Sequence, residues 1–200
     1  MESLVILKST LLLFAIVNPI GSIPIFLHLT HSMPPPQRQH VFRIGVGVSA
    51  IILFTFAFGG KWILAYIFQI RLSDLMAAGG LLLIIIAIDH LIFGSLVRGV
   101  LSAKSEDPGH IGAVPIACPI LAGPGAMMTV LVTYIKYGFM PAVVSIGVVL
   151  GLTWLILRFI DSIYKVLGRT VCMVLSKILS LFIAAIGFRF LMQGLLAYFQ

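Results

Sequence analysis

The chain has 200 residues and a formal net charge of +7; 60% of its residues are hydrophobic and only 10% are charged. A soluble domain usually has about 45–50% apolar and about 25% charged residues, and a globule of this size has too little interior to bury such an excess. An ordinary soluble domain, a disordered chain and a disulfide scaffold are therefore excluded, and since the basic residues form no patch with interleaved aromatics, so is a nucleic-acid partner.

Six apolar stretches are each long enough to cross a bilayer, which requires about 20 residues of helix. They fall roughly at 4–30, 41–68, 74–96, 111–135, 139–160 and 176–198. The predicted fold is therefore an all-α integral membrane protein with six transmembrane helices, and the lipid bilayer is its first partner. A short polar loop around Gly168 is expected before the last helix.

The first stretch is interrupted by Asn18-Pro19 and by Pro24. A proline inside a helix removes one backbone hydrogen bond and clashes with the preceding turn, so this pair should unwind the helix locally. Backbone groups that are freed at membrane depth must line a cavity or be buried in protein, because each would cost several kcal/mol in hydrocarbon. The interruption is therefore a candidate binding site.

Two ionisable residues, Asp89 and His90, lie late in the third stretch. Ionisable residues inside a span are functional candidates, so one hypothesis is that this pair relays a coupling proton. The alternative, which their place near the end of the stretch favours, is that both lie at the cytoplasmic interface. His28 and His31 have the spacing of metal ligands, but no carboxylate or cysteine is near them in the sequence, and no metal site is predicted.

The fourth stretch carries a second break of the same kind. Cys118-Pro119-Ile120-x-x-x-Pro124 matches Asn18-Pro19-Ile20-x-x-x-Pro24 at an offset of 100 residues, and glycines flank its second proline. One constant offset that aligns both pairs of prolines indicates an internal duplication. For this paired pattern, a binding site is favoured over structural kinks that neighbouring helices and waters satisfy again.

The duplication divides the chain into a first repeat at 1–100, a connecting loop at 101–110 and a second repeat at 111–200. With three helices in each, the second repeat enters the membrane from the opposite side, so the repeats are inverted and the first and fourth helices are broken at midmembrane. If the broken segments are instead re-entrant hairpins, the topology changes and the repeats are parallel. Such repeats are typical of secondary transporters, which bind substrate between discontinuous helices near the bilayer midplane. Asp89 and Arg189, which the offset aligns, should then lie toward opposite faces.

Basic residues are unequally divided between the two sides of the predicted membrane. The loops between helices one and two, three and four, and five and six hold Arg38, Arg43, Arg98, Lys104, Arg158, Lys165, Arg169 and Lys177. The other side holds Lys8, Lys61, Arg71 and Lys136. The side richer in Lys and Arg is cytoplasmic by the positive-inside rule, so both termini are predicted to be extracytoplasmic.

The two breaks match the chemistry of a zwitterion. The half-helix after a break offers free N–H groups and a positive dipole end, and the half-helix before it offers carbonyl oxygens. A carboxylate could bind the amides at 125–127 or at 22–23, and an ammonium the carbonyls at 16–18 or 117–118. The predicted substrate-binding residues are the polar, small and proline residues of both breaks: Asn18, Pro19, Gly21, Ser22, Pro24, Cys118, Pro119, Gly123, Pro124, Gly125, Ala126 and Thr129.

The segments at 18–26 and 114–126 resemble the two signature segments of the MarC/SnatA family, and Ala78-Gly79-Gly80 and Glu106-Asp107-Pro108 fit as well. The resemblance covers nearly the whole chain. It implies six helices in two repeats and a multi-pass protein of the plasma (inner) membrane. Some members of the family transport small neutral amino acids such as glycine and alanine, and others have no assigned substrate. Cys118 departs mildly from the family pattern, and no family role is carried over to Asp89 or Arg189.

The predicted function is secondary transport of small neutral amino acids by alternating access, with the zwitterion bound between the broken helices. A coupling proton or cation is a further expected partner, a homo-oligomer is left open, and no cofactor is predicted. The alternatives are an exporter of another small solute and a structural membrane protein without transport. An enzyme is not expected, because the spans hold no paired acids, no nucleophile with a base and no metal set.

Overall fold

The computed structural model describes residues 2–30, 33–92 and 121–197, and the regular elements in these ranges are all helices. Four of them are long and apolar enough to cross a membrane: Pro35–Ile67, Leu72–Ile92, Phe139–Arg158 and Thr170–Leu196. A shorter apolar helix covers Ser3–Val17. The prediction of an all-α integral membrane protein is confirmed. The connecting loop at 101–110 and the residues Cys118 and Pro119 lie outside the described residues.

The first predicted break separates two helices. Helix α1 (Glu2–Val17) ends directly before Asn18, and the short helix α2 (Ile23–Leu29) begins after Ser22. Pro24 is the second residue of α2, a position whose N–H has no intrahelical partner in any helix, so its missing donor costs little there. Pro19 thus follows the end of one helix, and Pro24 opens the next.

Two long helices complete the first half of the chain. Helix α3 (Pro35–Trp62) starts on its proline run and continues through Gly59 and Gly60 into a π-helical segment, Ile63–Phe68. Helix α4 (Leu72–Ile92) follows after a short turn.

The second half of the described chain has three helices that follow one another closely. Helix α5 (Pro124–Tyr137) and helix α6 (Phe139–Arg158) are separated only by Gly138, whose φ of 87° reverses the chain direction without strain. Helix α7 (Ile160–Leu196) contains one non-helical residue, Gly168, at φ 70°. The loop expected around Gly168 is therefore reduced to a kink between a short helical segment and a long apolar one.

Helices α4 and α7 pack closely against each other in an antiparallel arrangement. A Cβ atom on Gly187 would lie 2.8 Å from the Gly80 carbonyl oxygen and 2.9 Å from the Leu83 Cβ. One built on Gly194 would lie 2.6 Å from the Ser73 carbonyl oxygen. The later residue of α7 thus contacts the earlier part of α4, so the two helices run in opposite directions. Glycine is required at this contact because the two backbones lie so close together that any side chain would overlap the opposite helix.

Helices α3 and α6 are also antiparallel, and contacts at their two ends establish this. At one end the rings of Phe58 and Phe139 stack with their centroids 5.3 Å apart. At the other end the Gln39 side chain donates a hydrogen bond of 3.1 Å to the Arg158 carbonyl oxygen. Phe58 and Arg158 are 100 positions apart, and so are Gln39 and Phe139. The two contacts are therefore equivalent under the offset of 100 residues.

Burial repeats at the same offset. The buried positions of α3 are Val41, Phe42, Gly45, Ser49, Leu53, Ala57 and Gly60. The residues 100 positions later are buried as well: Pro141, Ala142, Ser145, Val149, Thr153, Leu157 and Ile160. Helices α4 and α7 share this register at Gly80, Leu83 and Ala87 with Ser180, Ile183 and Gly187. The side chains differ, but the two halves turn equivalent faces inward.

The close contact of α4 with α7 predicts a stability difference between two glycine substitutions. Gly187→Ala should lower the free energy of unfolding by about 1–3 kcal/mol, because its new methyl group overlaps the backbone of α4. Gly151→Ala is the matched control, since a Cβ there meets nothing within 4 Å. That change should be neutral or stabilising by up to about 1 kcal/mol through helix propensity. Thermal denaturation in detergent measures both, and equal stability of the two variants would contradict the packing.

Candidate functional site

Asn18 is the residue at which α1 stops. Its N–H still donates to the Phe14 carbonyl oxygen at 2.9 Å, but its own φ is 47°, in the left-handed region. Asparagine tolerates this region better than most residues, and the residue before a proline is in any case disfavoured in the right-handed helical region. Because Pro19 has no N–H, the Ala15 carbonyl oxygen loses the donor that a continuing helix would supply.

The Asn18 carboxamide is buried inside the break, with 2% of the residue exposed. Its Oδ1 accepts a hydrogen bond of 3.0 Å from the Gly21 backbone N–H. This bond sets the orientation of the amide, since a flipped amide would place two donors against each other. The Nδ2 group is buried and has no hydrogen-bond partner within the described ranges. A buried donor without an acceptor costs about 1–3 kcal/mol, so it is a candidate ligand contact.

Two further amides of the first break, those of Ser22 and Ile23, are occupied. The Ser22 N–H donates to the Asn18 carbonyl oxygen at 3.1 Å, and the Ile23 N–H donates to the Ile20 carbonyl oxygen at 3.2 Å. The expectation that a carboxylate could bind the amides at 22 and 23 is therefore wrong. Five residues, 18–22, separate α1 from α2, and the turn that they form satisfies these two N–H groups within its own backbone.

The second break opens a longer helix. Gly123 is extended at φ −65° and ψ 168°, and Pro124 is the first residue of α5. The Met127 N–H donates to the Gly123 carbonyl oxygen at 3.0 Å, so this amide, which was expected to bind a carboxylate, is occupied. The Gly125 and Ala126 amides lie in the first turn of α5, where N–H groups have no intrahelical acceptor. Both residues are buried, and neither N–H has an acceptor among the described residues, so these two donors are candidate ligand contacts.

Thr129 lies one turn further along α5 and is 1% exposed. Its hydroxyl donates to the Gly125 carbonyl oxygen at 2.8 Å. The hydrogen of Thr129 is thereby used inside the helix, and only its oxygen lone pairs are left to accept a bond. A role of Thr129 toward a substrate would be restricted to binding a donor such as an ammonium group.

Comparison with known proteins identifies the family of this chain. The family model described as MarC family integral membrane protein matches residues 3–199. The chain belongs to the MarC family. The UPF0056 membrane protein of Methanocaldococcus jannaschii is 31% identical over 195 residues, covering 92% of each chain. YhcE of Escherichia coli K12, also a UPF0056 membrane protein, is 32% identical over 196 residues, which cover 92% of this chain and 88% of the relative. No solved structure matches.

Two glycines of the predicted site in this MarC protein are required by packing. A Cβ on Gly21 would overlap the carboxamide of Asn18, and a Cβ on Gly125 would overlap the side chain of Leu83 on α4. The small size of these residues was expected to leave room for a ligand. The structure shows instead that neighbouring side chains occupy the space in front of them.

Leu83 and Met128 were absent from the sequence-based prediction of the MarC site. Leu83 is 3% exposed and packs toward Gly125, and Met128 is 1% exposed and packs toward Gly79. Apolar residues are so common in this chain that neither position stands out. The signal that could have indicated them is the glycine on the partner helix, since a small residue marks a close approach.

The candidate coupling residues lie at the end of the described part of α4. Asp89 is 4% exposed, and the Nδ1 atom of His90 is buried without a hydrogen-bond partner among the described residues. Arg189 is exposed on α7, and the antiparallel contact of Gly187 with Gly80 sets it roughly 10 Å or more from Asp89 along the helix axes.

Within the described ranges, no group of three or more His, Cys, Asp or Glu residues could hold a metal ion.

The left-handed conformation of Asn18 predicts an order of stability between two variants. Asn18→Ala and Asn18→Gly both remove the hydrogen bond to the Gly21 N–H. Only alanine also pays the steric cost of a Cβ at positive φ, which is about 1–2 kcal/mol. The alanine variant should therefore unfold at a lower temperature than the glycine variant in detergent. Equal melting temperatures would contradict the backbone conformation described here.

Proposed function

We propose that this MarC protein is a secondary transporter of small neutral amino acids, such as glycine and alanine, and that it binds the zwitterion between its two breaks. The observation that carries the proposal is the buried Nδ2 group of Asn18, a hydrogen-bond donor without a partner among the described residues. A substrate carboxylate would satisfy it. The structural role of Asn18, which accepts the Gly21 N–H, uses only Oδ1 and leaves this donor unsatisfied at a cost.

Two further donors support a carboxylate site. The Gly125 and Ala126 amides begin α5, where the helix dipole is positive, and α1 packs against α5 in the described structure. On the other side of the first break, the Ala15 carbonyl oxygen lacks its helical donor and would bind an ammonium group. The breaks together offer opposite partial charges to the two ends of a zwitterion.

Alternating access requires two halves that can exchange roles, and the packing supports this. The antiparallel pairs α4 with α7 and α3 with α6 are what an inverted duplication of three helices would produce. The burial register that repeats at 100 residues supports the same relation. We therefore propose six transmembrane helices in two inverted repeats, in the plasma membrane, with both termini extracytoplasmic.

The transport proposal is tested with purified protein in liposomes, by uptake and exchange of labelled glycine and alanine. Asn18→Asp should reduce the uptake rate at low substrate by about tenfold to a hundredfold. The variant keeps an acceptor for the Gly21 N–H but loses the donor and adds a negative charge, and a hydrogen bond to a charged group contributes about 1.5–3 kcal/mol.

The matched control is Thr153→Val, which changes a fully buried polar residue whose hydroxyl already bonds the Val149 carbonyl oxygen of its own helix. It should retain wild-type uptake. No uptake or exchange of either amino acid by the wild-type protein would overturn the proposed substrate. Accumulation of a different small solute would favour the alternative exporter, and the absence of any transport would favour a structural role.

We further propose that Asp89, next to His90, couples substrate movement to a proton. Asp89→Asn should abolish substrate-driven proton uptake while leaving counterflow exchange in place, because exchange needs no net proton movement. Asp74→Asn, at the opposite end of α4, is the control and should keep coupling. The ratio of protons to substrate, measured with a pH-sensitive dye inside the liposomes, decides the point. A ratio that is unchanged in Asp89→Asn would contradict the proposed coupling by Asp89.

A further inference from the structure

A cavity of about 490 Å³ lies where the π-helical segment meets the start of α4 and the end of α5. Its polar wall is formed by Lys61, Gln69 and Arg71. Its apolar wall includes Leu64, Ile70 and Ile135. The cavity is separate from both helix breaks, and the proposed transport does not use it.

The backbone around this cavity is unusual. The segment Ile63–Phe68 is π-helical, and π-helical turns are rare and are frequently found at functional sites. Gln69 then adopts a left-handed conformation with φ 53°, and the Ile70 N–H returns to the Leu64 carbonyl oxygen at 3.0 Å. This turn brings Lys61 and Arg71, ten positions apart in the sequence, onto the wall of the same cavity.

The cavity lies beside aromatic residues of the kind that mark the membrane–water boundary. Trp62 and Tyr66 are 59% and 73% exposed, and their ring centroids are 5.7 Å apart. Exposed tryptophan and tyrosine at helix ends are typical of the headgroup level of a bilayer. These rings favour a position of the cavity at the headgroup level of a bilayer, where lipid phosphates lie.

The charge around the cavity favours an anion. Lys61 and Arg71 each contribute a positive charge, and they are two of only four basic residues on their predicted side of the membrane. The nearest acidic residue in sequence, Asp74, accepts hydrogen bonds from the Arg71 backbone N–H at 3.0 Å and from the Ser73 hydroxyl at 3.3 Å. Two cations against one carboxylate leave the site net positive.

We propose that this cavity binds the phosphate of an anionic phospholipid headgroup, with Lys61 and Arg71 as its cationic ligands and the apolar wall along the first part of an acyl chain. Arginine and lysine both form charge-assisted hydrogen bonds with phosphate oxygens. The Gln69 amide adds a neutral donor for the headgroup. The site is independent of the transport proposal, because it requires neither Asn18 nor α5 amides.

The two tryptophans of the chain allow a direct test. Trp62 adjoins Lys61, and Trp154 lies at the other end of the α3–α6 pair, beside the Arg158 guanidinium at 5.2 Å. Trp154→Phe leaves Trp62 as the only reporter. Its fluorescence is then quenched with phosphatidylglycerol or phosphatidylcholine that carries bromine on the acyl chains, each diluted into unlabelled phosphatidylcholine.

We expect brominated phosphatidylglycerol to bind near Trp62 about fivefold to thirtyfold more tightly than brominated phosphatidylcholine, since each basic residue near an anionic surface contributes about a fivefold factor. Lys61→Gln with Arg71→Gln should abolish the preference. Lys8→Gln with Lys136→Gln removes the same charge from the same predicted side and should retain it. Trp62→Phe, with Trp154 as reporter, should show a smaller preference.

Equal quenching of Trp62 by the two brominated lipids overturns the proposal, and this comparison holds even if the double variant fails to fold. A preference that persists in Lys61→Gln with Arg71→Gln overturns it as well. Adding 10 mM glycerol phosphate separates the two sources of phosphate, at a concentration of about ten times a weak millimolar Kd. Loss of the preference shows that the free anion competes for the site and overturns its assignment to a lipid, and an unchanged preference supports the lipid as the ligand.

Discussion

Inside a bilayer, a backbone N–H or C=O has no water to bind, so every interruption of a helix has to be closed by the protein itself. At the first break the closure is made by Asn18, whose backbone turns left-handed while its carboxamide accepts the Gly21 N–H. At the second, the extended Gly123 accepts the Met127 N–H. Among the described residues, the donors that have no acceptor at the two breaks are the Asn18 carboxamide NH₂ and the first amides of α5. The proposed specificity for a carboxylate rests on these few donors.

The scaffold around the breaks is held by close contacts between helix backbones. In lipid there is little hydrophobic drive for helices to associate, so van der Waals packing between small residues has to supply it. Gly80, Gly187 and Gly194 let α4 and α7 approach to backbone distance. Gly125 of α5 leaves room for the side chain of Leu83 on α4. The start of α5, with its free amides, is therefore positioned by the same helix that packs against the last helix of the chain.

The two halves bury equivalent positions, but the side chains at those positions differ. Where α3 and α6 meet at one end, Phe58 stacks on Phe139, and the corresponding contact at the other end is a hydrogen bond from Gln39 to the Arg158 carbonyl oxygen. Arg38 also forms an ion pair with Asp161 there. One end of the helix pair is thus apolar and the other polar. A shared register with different side chains is what the proposed duplication would leave, because volume and register constrain packing more strongly than side-chain identity does.

The apolar composition and the spacing of prolines were sufficient to predict an all-α membrane protein, a helix break at Asn18 and a helix start at Pro124. These depend on local chemistry, because a proline is tolerated in the first turn of a helix but interrupts the helix further along. Tertiary structure alone decided which donors remain available: the amides of Ser22, Ile23 and Met127 are occupied, and the Asn18 Nδ2 has no acceptor among the described residues. It also decided that neighbouring side chains occupy the space beside Gly21 and Gly125, and that Lys61 and Arg71 line the same cavity. Hydrogen-bond partners and space depend on residues distant in sequence, which no local pattern records.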